Sequence, residues 1–436
     1  MRQLIFLTSA ALMLGQDTLP LSLKRAVEIA LAPDGSPRVA LAEESIRQSK
    51  TRVGQARAAF LPNLDGSITD QSQTTNLRTF GLNISIPGFA FPSLVGPFNI
   101  YDIRATAQES VFDFSSIRKY QSSKTSVDAT RADADTTRNQ VSDAVARAYL
   151  TCLRADAKLE TARANVELSD ALWKLAQRQK NAGTGLAIEI TRAQVQLAND
   201  RQQMIVAEND RLKAILQLLR AMGLNLDARI ELTDKLAFKP FDAGPAEASL
   251  TKARAERTEL KAQEKREQVA RLNYGSVKAE RLPSLGVFGN YGTTGTTVAG
   301  ALPTRDIGVS LKVPIFDGGR RDARRAESLS QLRQEQVRTR DVKQQVELDV
   351  RLALDSLRSA AAQVTTSEEG LLLAENELAQ ARRRYEGGVA SSIEVTDAQT
   401  RLDRARDNRI AALYNYNLAR LDLATATGSI AEYVNQ

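Results

Sequence analysis

Ile188-Glu189-Ile190-Thr191-Arg192-Ala193-Gln194 returns as Ile393-Glu394-Val395-Thr396-Asp397-Ala398-Gln399, a spacing of 393 − 188 = 205 residues. Gly183 and Gly388 keep the same spacing, as do Gly223 and Gly428. Upstream, Val111-Phe112-Asp113 returns as Ile315-Phe316-Asp317, and Leu61-Pro62-Asn63-Leu64 as Leu282-Pro283-Ser284-Leu285. The last pair is 282 − 61 = 221 residues apart, so the first copy carries a longer insert between its Leu-Pro and Phe-Asp landmarks. Self-similarity on this scale marks a duplicated supersecondary unit. The chain of 436 residues reads as two tandem modules, 17–235 and 236–436, with a seam near Gly223 to Pro245.

Each module repeats one order. A helix near Ser22–Arg57 or Ala246–Arg281 stops at Leu-Pro, because proline disfavours helix at the residue before it. A stretch rich in Gly, Thr, Ser and Asn follows. In the second module its closing limb alternates: Ile307, Val309, Leu311, Val313 and Ile315 against Asp306, Gly308, Ser310 and Lys312. The first module sets Tyr101, Ile103, Ala105 and Ala107 against Asp102, Arg104, Thr106 and Gln108. Period-two alternation predicts strands with one wet face. Strands are expected at about 62–76, 99–112, 283–298 and 304–316.

A long helix comes next, about Ser115–Asn181 and Arg320–Glu386, with apolar residues stepping by three and four. Val342, Val346, Val350, Leu354 and Leu357 show the step, as do Leu371, Ala374, Leu378, Ala381 and Tyr385. At about 1.5 Å per residue each helix would be on the order of 100 Å long. Such helices need lengthwise neighbours. Glycine turns close them, and return helices complete hairpins at about 115–222 and 320–427, ending at Gly223 and Gly428 as C-caps. The fold class is therefore mainly α, with four strands per chain.

Composition excludes several functions. Histidine is absent and methionine occurs four times, which argues against a soft-metal site. The one cysteine, Cys152, forms no internal disulfide and falls in the stripe Val141, Val145, Ala148, Cys152, Ala155, Leu159, so it reads as core. No catalytic constellation, phosphate loop or cofactor motif is present. Net charge is +7, but acids and bases alternate along helices, as in Arg382-Arg383-Arg384-Tyr385-Glu386, so the reading is a solvated face and not a nucleic-acid partner. Trp173 and Tyr149 read as packing residues.

Residues 1–16 read as a secretory signal peptide, from Arg2 and the apolar run Leu4 to Leu14. No other run reaches about 18 apolar residues, so any membrane part must be strands. Strands in hydrocarbon need a closed barrel. Four strands cannot close one, so several chains must pool them, with polar residues inward.

Val313-Pro314-Ile315-Phe316-Asp317-Gly318-Gly319, Leu282-Pro283-Ser284-Leu285 and the stretch from Tyr385 to Gln399 resemble outer-membrane efflux proteins of the TolC family, and the resemblance covers nearly the whole chain. It implies a homotrimer with a twelve-stranded β-barrel in outer-membrane lipid, continued by a periplasmic α-helical barrel. It implies a passive exit duct of a tripartite efflux or type I secretion system. The partners would be a periplasmic adaptor of the membrane-fusion class and an inner-membrane pump of RND or ABC type. Gate positions carried over are Tyr385, Glu394 and Asp397, with Glu189 on the first hairpin. Glu189 and Glu394 are equally early-helix acids favoured by the helix dipole. The family's arginine latch falls on Ala390, so another arginine, Arg192 or one nearby, must serve. The tips, with Gly183, Thr184, Gly185, Leu186, Gly388, Val389, Ala390 and Ser391, are candidate adaptor contacts. Phe80–Phe98 would be an apolar extracellular loop. If the arginine excess lined the lumen, anionic cargo would be favoured. The competing reading is a periplasmic coiled-coil scaffold or adaptor without a barrel. The amphipathic strands and the leader favour the duct.

Overall fold

The computed structural model describes residues 19–81, 85–86, 89–90, 92–183 and 185–435; the expected leader, Thr184 and part of the loop Phe80–Phe98 lie outside them. The chain begins with β1 (Leu19–Leu21), α1 (Leu23–Leu31), α2 (Pro37–Ala58) and β2 (Asn63–Asn76). A short 3-10 turn (Leu77–Phe80) leads to β3 (Ser85–Ile86), β4 (Phe89–Ala90) and β5 (Leu94–Phe112). The long α3 (Phe114–Asn181) returns as α4 (Ala187–Met222), followed by β6 (Ile230–Leu232). The order then recurs as α5 (Ala246–Glu256), α6 (Thr258–Ala279), β7 (Ser284–Gly295), β8 (Leu302–Lys312), α7 (Arg320–Glu386) and α8 (Ser392–Thr427), closed by α9 (Ile430–Val434).

The opening helix expected in each copy is two helices. In the first, Ala32 precedes Pro33 and takes an extended ψ of 155°, as a pre-proline residue must. Gly35 and Ser36 complete the turn, and Pro37 starts α2, where a missing N–H costs nothing. In the second, neither proline nor glycine causes the break. Arg257 leaves the helix with ψ 116°, and its guanidinium is held by Asp349 at 3.1 Å, Glu259 at 2.8 Å and the Ala426 carbonyl at 3.3 Å. Tertiary hydrogen bonds override helical propensity there.

Several strand limits also differ: β7 ends at Gly295, short of the expected 298, and β8 begins at Leu302, before the expected 304. β5 begins at Leu94, before the expected 99, because Asn76 and Thr75 of β2 still have partners in Leu94 and Val95. β8 ends at Lys312, which opposes Ser284, the first residue of β7. Val313 and Ile315 therefore lie beyond the alternating strand, where Pro314 has no N–H to offer a ladder.

The chain divides into two compact units. The first gathers the residues up to Glu44 with Ala132–Lys261 and Arg340 onward. Its cores follow the predicted helix stripes. One joins Val145, Tyr149 and Cys152 to Leu218, Leu219 and Met222. A second joins Val346, Val350, Leu354 and Leu357 to Leu413, Tyr416 and Leu423. Burial pushes the Cys152 thiol up to about 12, so it stays protonated core. Tyr149 is buried, with its hydroxyl 2.7 Å from Asp234 Oδ2. Trp173 is half-buried. The parallel pair β1–β6 sets Leu19 beside Ile230 and Leu21 beside Leu232. The long helix α7 passes through Gly370 unbroken, and both return helices end on left-handed glycines, Gly223 and Gly428, each at φ +78°.

The second unit, Ser45–Arg131 with Ala262–Thr339, carries an antiparallel sheet in the order β2-β5-β7-β8. Polar contacts tie its helices: Ser122 Oγ donates to Asn273 Oδ1 at 2.7 Å, and Gln263 Nε2 to Glu335 at 2.8 Å. Among the described residues no helix is long and apolar enough to cross a membrane.

Candidate functional sites: a two-faced sheet and the hairpin tips

Directly opposed residues of antiparallel strands share a face, so the register sorts the sheet into rows. One face holds the row Leu64, Ala107, Gly289, Ile307 and the row Ile68, Ile103, Thr293, Pro303. Val287 with Val309, and Leu285 with Leu311, continue it. These side chains are solvent-exposed in the single chain: Leu64 73%, Ile68 82%, Ile307 82%, Val309 68%. The charged residues on this face are Glu109, Asp70 and Arg305, the last on outer strand β8 opposite Tyr291.

The other face is polar. Its rows are Asp65, Thr106, Asn290, Asp306, and Ser67, Arg104, Gly292, Thr304. Arg104 binds Asp102 at 3.1 Å and reaches across to Asn290 at 2.6 Å and Thr304 at 3.2 Å. It crosses Gly292, where a Cβ would come 2.5 Å from the Ile103 carbonyl, so only glycine fits. The outer strands, β2 and β8, each have one unpaired side. A sheet with an exposed apolar face and free edges is unfinished as a monomer.

At the far ends of the hairpins, Gly183 (φ +77°) and Gly388 (φ +73°) make left-handed turns. The Gly185 amide donates to Gln179 O at 3.0 Å, and the Val389 amide to Arg384 O at 3.0 Å. Leu186 (68% exposed), Val389 (72%), Ile188 and Ile393 are left uncovered. Ala390 and Ser391 lead into α8, and Ser391 makes no side-chain cap.

The four carried-over gate residues separate here. Tyr385 is 5% exposed and packs with Leu378, Ala381, Val395 and Leu402. Burial first, and then the charge of Glu189, push its phenol up to about 12. Its carbonyl accepts from Gln179 Nε2 at 3.3 Å, linking the two hairpins. Glu189 accepts from the Leu186 amide at 3.2 Å, so it also caps its own helix. Glu394 pairs with Arg384 at 3.3 Å. Asp397 is exposed. Ala390 carries no charge, and the arginine across the second turn is Arg384.

One cluster was not legible beforehand. Asp200 on α4, 2% exposed, accepts from Ser169 on α3, from Gln196 at 3.0 Å and from Gln399 on α8 at 3.3 Å. Gln399 also donates to Ser169 at 2.7 Å. Its repeat equivalent, Gln194, is exposed. Nearby Asp403 keeps a buried oxygen without a partner. Burial, with Asp200 next, raises the Asp403 carboxyl to about 6, and burial raises Asp200 as well. The only advance signal was polarity interrupting apolar stripes, at Asp200 after Leu197 and at Asp403 after Leu402.

A carboxyl raised by folding holds its proton more tightly in the folded chain than in the unfolded one. Its contribution is therefore favourable at low pH, and it is lost as pH rises through the ordinary carboxyl range to about 6. Thermal melting between pH 4.5 and 7.5 is expected to show wild type gaining stability on acidification (about pH 6 downward) relative to Asp403→Asn. Parallel pH profiles would count against this.

The family model described as "Outer membrane efflux protein" matches residues 29–224 and 250–429. The alkaline protease secretion protein AprF of Pseudomonas aeruginosa is 24% identical, over 97% of this chain and 87% of its own. The pyoverdine export outer membrane protein OpmQ of Pseudomonas putida is 25% identical, over 93% and 84%. The outer membrane protein TolC of Vibrio cholerae is 26% identical over 66% and 67%. Among solved structures, the Campylobacter jejuni CmeC outer membrane channel superposes with a TM-score of 0.80 at 17% identity, covering 93% of this chain and 85% of that one. Vibrio cholerae VceC superposes at 0.77, also at 17% identity, covering 93% and 96%.

Proposed function

Because this chain belongs to the outer membrane efflux protein family, we propose that it is one subunit of a passive exit duct through the outer membrane, serving a tripartite efflux or type I secretion system. The observation that carries this is the two-faced sheet. Its apolar face needs lipid, its polar face needs water, and its free edges need strands from other copies. Three chains supply twelve strands, enough to close a barrel. The long hairpins then form the periplasmic helical wall. Residues 17–235 and 236–436 are its two repeats, behind a leader at 1–16.

The uncovered apolar tips, Leu186, Ile188, Val389 and Ile393, fit a docking surface for a periplasmic adaptor, which couples the duct to an inner-membrane pump. A duct carries no catalytic centre of its own; the pump supplies the energy. The relatives differ in cargo by name, a protease for AprF and pyoverdine for OpmQ. A polypeptide or a small molecule therefore fits this chain.

The test is a combined one. Protein from the outer-membrane fraction should run as a trimer that heat dissociates, and should conduct in planar lipid bilayers. Recovery in the soluble periplasm, without conductance, would support the scaffold reading instead.

The gate reading rests on Tyr385 beside Glu189 and on the Arg384–Glu394 pair. Both members of the pair are partly exposed, so it is worth about 0–1 kcal/mol per chain. Arg384→Ala is expected to raise the single-channel open probability a few-fold, about the factor that energy sets. Glu394→Gln should lower cation preference, because rings of carboxylates favour cations. Unchanged gating in Arg384→Ala would remove Arg384 as the latch.

A further inference from the structure

The two halves of the sheet share one hydrogen-bond register. The repeat landmarks set β7 221 residues after β2, and β8 315 − 111 = 204 residues after β5. Shifted by these amounts, Asn63 opposite Gln108 becomes Ser284 opposite Lys312, and Asp70 opposite Tyr101 becomes Tyr291 opposite Arg305. Both pairs stand in the second hairpin. The duplication has therefore kept strand pairing as well as sequence landmarks.

One junction has no counterpart within the chain. The pair β5–β7 joins the second strand of the first module to the first strand of the second. The reverse junction would join β8, the second strand of the second module, to β2, and these are the two strands with a free side. Shifting β5–β7 by the same amounts gives its register. Gln108 opposite Phe288 becomes Lys312 opposite Ser67, Ala107 opposite Gly289 becomes Leu311 opposite Ile68, and Thr106 opposite Asn290 becomes Ser310 opposite Thr69.

The shifted register agrees with the sheet in several respects. Opposed residues share a face: Leu311 and Ile68 are on the apolar face, Ser310 and Thr69 on the polar one. A slip of one residue would set apolar against polar along the whole edge. Exposed apolar groups meet, because Leu311 (66%) covers Ile68, and Phe112 opposite Leu285 carries over as Phe316 (87%) beside Leu64. The row Leu64, Ala107, Gly289, Ile307 runs on to Ser72 of the next copy, 72 − 64 = 8 residues along β2. A closed barrel needs such a stagger, which goes with the tilt of its strands. Direction agrees too. Three antiparallel pairings make β8 run opposite to β2. With all hairpins on one side of the membrane, β8 beside β2 of another copy is antiparallel, whereas β8 beside β8 would be parallel.

We propose that β8 of one copy pairs with β2 of the next in this register, with Leu311 opposite Ile68 and Ser310 opposite Thr69. The partner is a second copy of this chain, and the inference rests on the trimeric-duct reading. Each seam covers two free edges and joins apolar to apolar on the lipid-facing side.

Cysteine pairs in the full-length protein test it, in a Cys152→Ala background that removes the one native thiol. Ser310→Cys with Thr69→Cys probes the polar face, and Leu311→Cys with Ile68→Cys the apolar face, so both kinds of antiparallel pair are sampled. Directly opposed Cβ atoms stand about 5 Å apart and diagonal ones about 7–8 Å, and a disulfide closes only the shorter gap. Oxidation in outer membranes should link three chains into a covalent ring that survives heating and falls to monomers on reduction. Each single-cysteine variant should give monomers on heating. Ser310→Cys combined with Ser67→Cys or Gln71→Cys, two residues off, should lose the ring. A ring formed best by a displaced pair overturns the register and leaves the trimer standing. Cross-linking of the Ser310→Cys variant with itself overturns the β8–β2 seam in favour of β8 against β8. Heat-dissociable trimers that no pair cross-links overturn the seam and leave the duct standing. Wild-type protein recovered only as monomer overturns both.

Discussion

Arginine in place of Ile307 will remove the protein from the outer membrane, whereas arginine in place of Ser310 on the same strand will leave it there. Ile307 lies in the middle of the apolar face, in the row with Leu64, Ala107 and Gly289, and is 82% exposed in the single chain. In a barrel that exposure is exposure to hydrocarbon. A guanidinium at mid-bilayer costs about 2–4 kcal/mol per chain, and the proposed three-fold assembly would incur it three times. Arg305, already on this face, is two residues nearer the strand end, where a long side chain can snorkel to the interface. Ser310 lies on the opposite face, in the row with Ser110 and Gly286. An arginine there meets water and should alter conductance only. The measurement is recovery in outer-membrane fractions, as the heat-dissociable trimer that the proposed assembly would give. Equal recovery of both variants would refute the assignment of faces.

The second large effect is expected in the helical unit. Tyr416 is 1% exposed, its ring centroid stands 4.7 Å from that of Phe238, and its hydroxyl donates to Lys239 O at 2.8 Å. It thereby pins the extended segment between the two repeats onto α8. Tyr416→Ala removes a buried ring and leaves a cavity among Leu250, Val350 and Leu413, at a cost of about 3–5 kcal/mol. Tyr416→Phe loses one hydrogen bond, about 1 kcal/mol. Chemical denaturation of the purified protein should rank wild type, Tyr416→Phe and Tyr416→Ala in that order. A Phe variant as damaged as the Ala variant would shift the weight from packing to the hydroxyl.

Local chemistry explains which features could be read without coordinates. The long helices were legible because their apolar residues step by three and four without interruption. The cap glycines were legible because a left-handed residue favours glycine at Gly223 and Gly428. The strand faces were legible from period-two alternation, down to Ile307 against Asp306. The break after Ala32 could have been read from Pro33 and Pro37. The break at Arg257 could not, because its cause is Asp349, distant in sequence.

The candidate gate shows the same division. The family resemblance pointed to Tyr385, Glu394, Asp397 and Glu189, but it could not pair Glu394 with Arg384 or bury Gln399 while leaving Gln194 exposed. The two heptapeptides differ only at Ile190/Val395 and Arg192/Asp397 and have similar local preferences, so it is chiefly their neighbours that set them apart. The sequence by itself determined the duplicated helix–strand–helix plan, because periodicity and turn residues act over a few positions. The tertiary structure alone decided which polar groups meet: Arg384 with Glu394, Asp200 with Gln399, and Arg104 with Asn290. Those contacts depend on strand register and helix rotation, which bring together residues that share no local signal.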